Sequence, residues 1–205
     1  MAVTLQSDGV KFSDNSVQTT AAVGVGGIEV FTTVGSSTWT RPSHVTKVWV
    51  CVVGGGGGAA ATGRAGSGGG SGGTIMWREV SVSANVTVTV GYAGSLTASF
   101  TNKGNKSELN GTAGGTSSFG GVGTVGAGGG GGGHSDNDDV EIGGSGGTAS
   151  GTGSFAGERG YNSNNHGIAL GGRSAFGSKG AGGTVTLNPD QTGRVAGAGI
   201  VIVAY

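Results

Sequence analysis

A quarter of this chain is glycine, and the glycine is concentrated: of 51 in 205 residues, 43 lie between Gly54 and Gly183. The block holds unbroken runs at 54–58 and 128–133, yet strand-like apolar sequence brackets it at 45–53 and 199–205. Ordering a glycine costs about 0.5–1 kcal/mol more than ordering an alanine. An ordered block must therefore gain something that only glycine permits. Two Pro and no strict Gly-X-Y period exclude a collagen helix. A structureless loop of ~130 residues runs against the loop lengths of compact domains, and Trp77, Phe119, Phe155 and Phe176 are buried-type residues spread through the block. Extended polyproline-II-like segments without Cβ atoms can approach until backbone N–H and C=O groups pair between them. Ordered packing is the expectation.

Charge and punctuation remove several functions. Eleven Lys and Arg balance eleven Asp and Glu, so no global field attracts nucleic acid or an anionic membrane. The longest apolar run is far below the ~20 residues that span a bilayer. The opening residues lack the basic start and apolar core of a signal peptide, so Sec export is not expected. Cys51 stands alone in an apolar strand and reads as a small buried hydrophobe. Asn85, Asn105 and Asn110 head N-x-Ser/Thr triplets that matter only on a eukaryotic secretory route.

Along the chain, residues 5–22 read as short strands broken at Asp8-Gly9 and Asp14-Asn15. This leader is too small to bury Leu5, Val10, Phe12 and Val17 alone, so they need other copies of the chain or the domain behind them. Residues 23–27 are a hinge, dividing an N-terminal segment, 1–27, from a domain, 28–205. In the domain, 28–34 is a strand, 35–37 a turn and 38–42 a short strand ended by Pro42. Residues 45–53 are apolar on both faces from Val48 onward, as befits a central strand. Residues 74–83 and 85–91 alternate with period two, placing Val80, Val82, Val86, Val88 and Val90 on one face, with a turn at Ala84-Asn85. The last strand, 200–203, should pair with 48–53. No segment has helical periodicity. The fold class is all-β: a small antiparallel β-sandwich carrying a large glycine-rich insert, about 54–183, packed as extended polyproline-II-like segments.

Three polar islands interrupt the glycine: 95–110, 134–141 and 158–166. The third mixes Arg159, Tyr161, Asn162, Asn164, Asn165 and His166, the donors, acceptors and aromatic platform used in surface recognition. The second offers Asp136, Asp138 and Asp139, and the first Phe100, Asn102 and Lys103. The bland reading of each is a solvated loop. Asp136, Asp138, Asp139 and Glu141 lack the mid-loop glycine and distal glutamate of an EF-hand, and His44, His134 and His166 lack zinc spacing, so no metal is assigned. Asp138 or Asp139 with Glu158 would be the only nominees for a glycosidase pair, with nothing to fix them across a cleft. Residues 151–156 fit G-x-G-x-x-A, but no strand and trailing helix frame them. Residues 172–179 carry Ser178 where a phosphate-binding loop needs Lys. No catalytic residue and no cofactor are assigned, and the chain reads as a non-enzyme.

The order of motifs carries a resemblance. It comprises Trp39-Thr-x-Pro42, Val-Thr-Lys-Val-Trp-Val at 45–50, a glycine run, and Val-Thr-Val-Thr-Val-Gly at 86–91. Gly-Gly-Thr-Ser-Ser-Phe-Gly at 114–120, further glycine runs and Gly-Ala-Gly-Ile-Val-Ile-Val-Ala-Tyr at 197–205 complete it. From about residue 28 to the end, the chain resembles the glycine-rich domain of phage tail fibre and receptor-binding proteins. Residues 10–22 are similar to a segment common in trimeric fibres, with Asn15 in place of the usual glycine. The resemblance implies a homotrimer in the virion tail fibre, made in the host cytoplasm, with Leu5, Val10, Phe12 and Val17 serving assembly and attachment to other virion proteins. It implies an insert packed as polyglycine-II-like helices, whose loops contact a bacterial surface receptor, glycan or outer-surface protein, with no nucleic acid and no membrane insertion. A purely structural virion spacer is the alternative. A polysaccharide depolymerase and an ice-binding protein fit less well, the latter for want of a flat Thr or Ala face.

Overall fold

The computed structural model describes residues 4–6, 9–11, 17–18, 26–61, 65–98, 109–120, 125–127, 134–135, 141–142, 144–149, 154–164, 168–174, 178–186 and 193–205. No helix occurs among them. Two sheets carry the core. The first is antiparallel, in the order Ser154–Phe155, Thr74–Ser81, Lys47–Val53, Ile200–Ala204, Ile28–Phe31. The second, also antiparallel, runs Val125–Ala127, Ser117–Phe119, Val86–Val90, Gly35–Trp39. The last strand does pair centrally, Ile200 opposite Val53 and Ala204 opposite Trp49. Val48, Val50, Val52, Ile75, Val80, Val201 and Val203 from the first sheet meet Trp39, Val86, Val88, Val90 and Phe119 from the second in one cluster. Trp39 is fully buried, with its ring centroid 5.8 Å from Phe119 and 5.6 Å from Tyr205.

Four local expectations are corrected. The valines at 80, 82, 86, 88 and 90 are all buried, but the two strands that carry them do not pair. The bend at 83–85 passes the chain from one sheet to the other, so a shared parity puts both valine rows on the same core from opposite sides. Residues 35–37 are not a turn but open the Gly35–Trp39 strand. The bend lies before it at Thr33-Val34, Gly35 enters the strand with a φ of 108° that suits only glycine, and Ser36 and Thr89 hydroxyls meet at 3.2 Å across its wet face. The central strand is dry on both faces only from Val50, because Trp49 is half exposed. Of the aromatic residues in the block, Phe119 is buried, Trp77 and Phe155 are exposed, and Phe176 lies outside the described residues. Trp77 is displaced by a bulge: Val50 faces Arg78 while Val52 faces Ile75, so the strand gains a residue and its alternation shifts. At φ 44° it takes a backbone conformation that costs a bulky residue about 1–3 kcal/mol. Beside it Cys51 is fully buried, as expected, and burial pushes its thiol up to about 11 against the pull of the Trp77 backbone hydrogen bond.

The leader forms a separate three-stranded antiparallel sheet, Thr4–Gln6, Gly9–Lys11 and Val17–Gln18. Leu5 stands opposite Val10 and Val17 opposite Lys11, while Phe12 lies outside the described residues.

The glycine runs are neither strands nor loops. Residues 54–60 and 68–75 are buried, so their amides need partners. Every N–H of the run 54–58 has one. Gly54 and Gly57 donate to Gly73 and Gly70, Gly55 and Gly58 to Gly115 and Thr112, and Gly56 to Gly197. The same partner segment thus returns every third residue. A strand would address two neighbours with period two, and an α-helix would bond within itself. The run 68–73 behaves alike. Gly68 and Ser71 donate to Tyr161 and Glu158, Gly69 and Gly72 to Gly183 and Gly180, and Gly68 and Ser71 accept from Gly144 and Gly147. Among the described glycines only Gly35 and Gly180 have positive φ, so this block uses glycine for closeness rather than for left-handed backbone. A Cβ on Gly56, Gly58, Gly69, Gly160 or Gly182 would overlap the carbonyl oxygen of Ala181, Ser95, Gly57, Gly68 or Gly69 respectively.

Candidate functional site

The run 54–58 leaves the five-stranded sheet at Val53 and ends beside the Ala60–Ala61 strand. A small sheet forms there, in the order Thr97–Ala98, Ala60–Ala61, Ala65–Ser67, Asn162–Asn164. It joins the start of the first polar island to the third. Asn110, at the end of the first island, pairs with His134, which pairs with Ile142. The His134–Ser135 strand approaches both Ala60–Ala61 and Ala65–Ser67, and Glu141–Ile142 approaches Asn162–Asn164. Three islands distant in sequence therefore have their bases together at the end of the glycine bundle away from the two core sheets.

Sequence reasoning named many residues here, and the structure reaches some of them. Asn162 and Asn164 lie in a strand, opposite Ser67 and Ala65. Arg159 and Tyr161 line one open concavity with Glu158 and Gly160. Phe100, Asn102, Lys103, Asp136, Asp138, Asp139, Asn165 and His166 lie outside the described residues. Among the described residues no group of three or more His, Cys, Asp or Glu could hold a metal ion.

The concavity is built from the backbone upward. Ser71, buried inside a glycine run, accepts from the Glu158 N–H through Oγ at 2.7 Å and donates its own N–H to the Glu158 carbonyl at 2.9 Å. Tyr161 is held on both sides, donating to the Leu170 carbonyl and accepting from Gly68. Gly160 is buried against the Gly68 carbonyl and places no side chain between Arg159 and Tyr161. On this frame the Tyr161 hydroxyl donates to Glu158 Oε1 at 2.7 Å, and the Arg173 N–H donates to Oε2 at 2.7 Å. The Tyr161 ring remains half exposed. Glu158, Ser71 and Arg173 were not among the residues chosen for recognition. The signals were a lone hydroxyl in a glycine run and a Glu three residues before a Tyr.

These bonds set the charge state. The Tyr161 hydrogen bond, then the Arg173 backbone bond, hold Glu158 below the usual glutamate range, while the same carboxylate pushes the Tyr161 phenol up. Glu158 therefore stays ionised and Tyr161 protonated across neutral pH. A depressed carboxylate contributes stability above its unfolded pKa and loses it as pH falls through the lower folded value. In an NMR titration Glu158 should titrate below an ordinary glutamate, and Tyr161→Phe should move its midpoint back up. An unmoved midpoint would mean the hydrogen bond does not form in solution.

The match that bears on this geometry is to a family model described as a glycine-rich domain, which covers residues 32–201. The chain belongs to the glycine-rich domain family. No curated protein matches it. The matched span takes in the four-stranded core sheet, three whole strands of the five-stranded one and all three islands, so the glycine-rich domain includes both the bundle and the concavity at Glu158–Tyr161.

Proposed function

We propose that this glycine-rich domain is the receptor-binding tip of a phage tail fibre, and that it recognises a bacterial surface rather than performing chemistry. The observation that carries this reading is the convergence of the three polar island bases at the end of the bundle remote from the core sheets. The three-residue repeat of the backbone hydrogen bonds and the buried glycine runs favour polyglycine-II packing for the bundle. Such a bundle holds its loops rigid, so that binding loses little ordering entropy. Residues 1–27 would be the segment for trimer assembly and attachment to the remainder of the fibre. Its motif at 10–22 favours that role, with Leu5, Val10, Phe12 and Val17 as contacts between copies. Three copies would add avidity to weak single contacts. The receptor contacts would come from Arg159, Tyr161, Asn162 and Asn164, with those islands' further residues alongside.

The test is saturable binding of the labelled protein to a panel of bacterial strains, beside a variant with Arg159, Tyr161 and Asn164 changed to alanine. Binding to one strain that falls at least about tenfold in a folded variant is the expected result. A folded trimer that binds none of them, the virus's own host included, would favour a structural spacer.

A further inference from the structure

We infer that the concavity formed by Glu158, Arg159, Gly160 and Tyr161 is a subsite for one neutral, hydroxyl-rich sugar ring. The inference rests on the receptor-binding reading and names the chemistry of its ligand. The Tyr161 proton is committed to Glu158, so the phenol oxygen offers lone pairs outward. An ionised carboxylate only accepts hydrogen bonds, and among the described residues each Glu158 oxygen takes one bond, which leaves lone pairs for a ligand. Together they require a ligand with several adjacent donors. A pair of neighbouring sugar hydroxyls supplies them at the spacing of one carboxylate. The half-exposed Tyr161 ring beside that carboxylate offers an apolar plane for the C–H face of the same ring. Arg159 lines the same concavity, and the exposed Arg173 fixes Glu158 through its backbone N–H.

Other ligands fit less well. A calcium ion wants six to eight oxygens, and one carboxylate stands here. A carboxylate or phosphate group would meet Glu158 at the centre of the site. A protein partner needs about 800 Å² of contact on each side, while this concavity is walled by four residues. Rigidity favours a small ligand as well, because Ser71 and Arg173 fix both ends of Glu158 before anything binds.

The experiment is saturation-transfer NMR on the folded protein with the methyl glycosides of glucose, galactose, mannose and rhamnose, and with glucuronate as the charged comparison. Wild type should bind at least one neutral glycoside saturably. Glu158→Gln and Tyr161→Ala should each weaken it at least about tenfold, and Tyr161→Phe, which keeps the plane, should weaken it less. Neutral glycosides that fail to bind wild type, or that bind both variants as well as wild type, overturn the inference. The same glycoside is then added to the cell-binding assay. Competition supports both readings. Cell binding that is lost in Glu158→Gln yet ignores every glycoside leaves the receptor reading standing and overturns the sugar, with a protein surface as the ligand. Glycoside binding without any cell binding does the reverse.

Discussion

Gly69→Ala should lower the melting temperature by about 10 °C or more, or leave the chain insoluble. The new Cβ would sit on the Gly57 carbonyl oxygen, with that carbonyl's carbon close behind it. Neither side can withdraw. Gly69 donates to the Gly183 carbonyl at 3.0 Å and accepts from Gly172 at 2.9 Å, while Gly57 donates to Gly70 and accepts from Gly183. Overpacking by flexible side chains costs about 1–3 kcal/mol, and a backbone lattice has less room to yield. Against a total stability of about 5–15 kcal/mol, and about 2–4 °C per kcal/mol for a chain of this size, such a loss is large. Gly120→Ala is the control. Among the described residues its added Cβ meets only the Thr87 carbonyl at 3.4 Å, an ordinary contact, and it should change stability by under about 0.5 kcal/mol. Thermal scans by circular dichroism read both. Equal melting of Gly69→Ala and wild type would refute the close packing of the runs.

The second large effect belongs to the core. Trp39→Ala should cost about 3–5 kcal/mol in a urea titration, because it empties the space between Phe119 and Tyr205. Trp39→Phe should cost much less. The indole Nε1 is buried without a hydrogen-bond partner among the described residues, and a buried donor left unpaired costs about 1–3 kcal/mol. Phenylalanine removes that donor while keeping an aromatic body, so the lost volume is partly offset. Similar midpoints for the alanine and phenylalanine variants would show that volume is not what Trp39 supplies.

The core was legible in the sequence because valine at period two says which face is dry, whatever the strand pairs with. That is also why the pairing was not legible. Val82 and Val86 have the same parity whether the bend between them makes a hairpin or crosses to the facing sheet, and here it crosses. Trp77 eluded the pattern because a bulge shifts alternation without changing composition. The glycine runs announced close packing, but a run of identical residues has no register, so their partners could not be read. The site divides in the same way. Arg159 and Tyr161 stood out by residue type, whereas Glu158 acts through Ser71, 87 positions earlier, and Arg173, 15 positions later, and nothing local to Glu158 marks either.

The hydrogen bonds of one glycine run also set a timetable. Gly56 waits for the carbonyl of Gly197, Gly199 donates back to Gly91, and Gly197 in turn donates to Ala181. A ribosome adds about 5–20 residues each second, so the Gly56 amide waits several seconds after its neighbours at 54 and 57 before its acceptor exists. The bundle is therefore closed by its final residues, and a nascent chain short of residue 197 leaves the Gly56 amide without its acceptor.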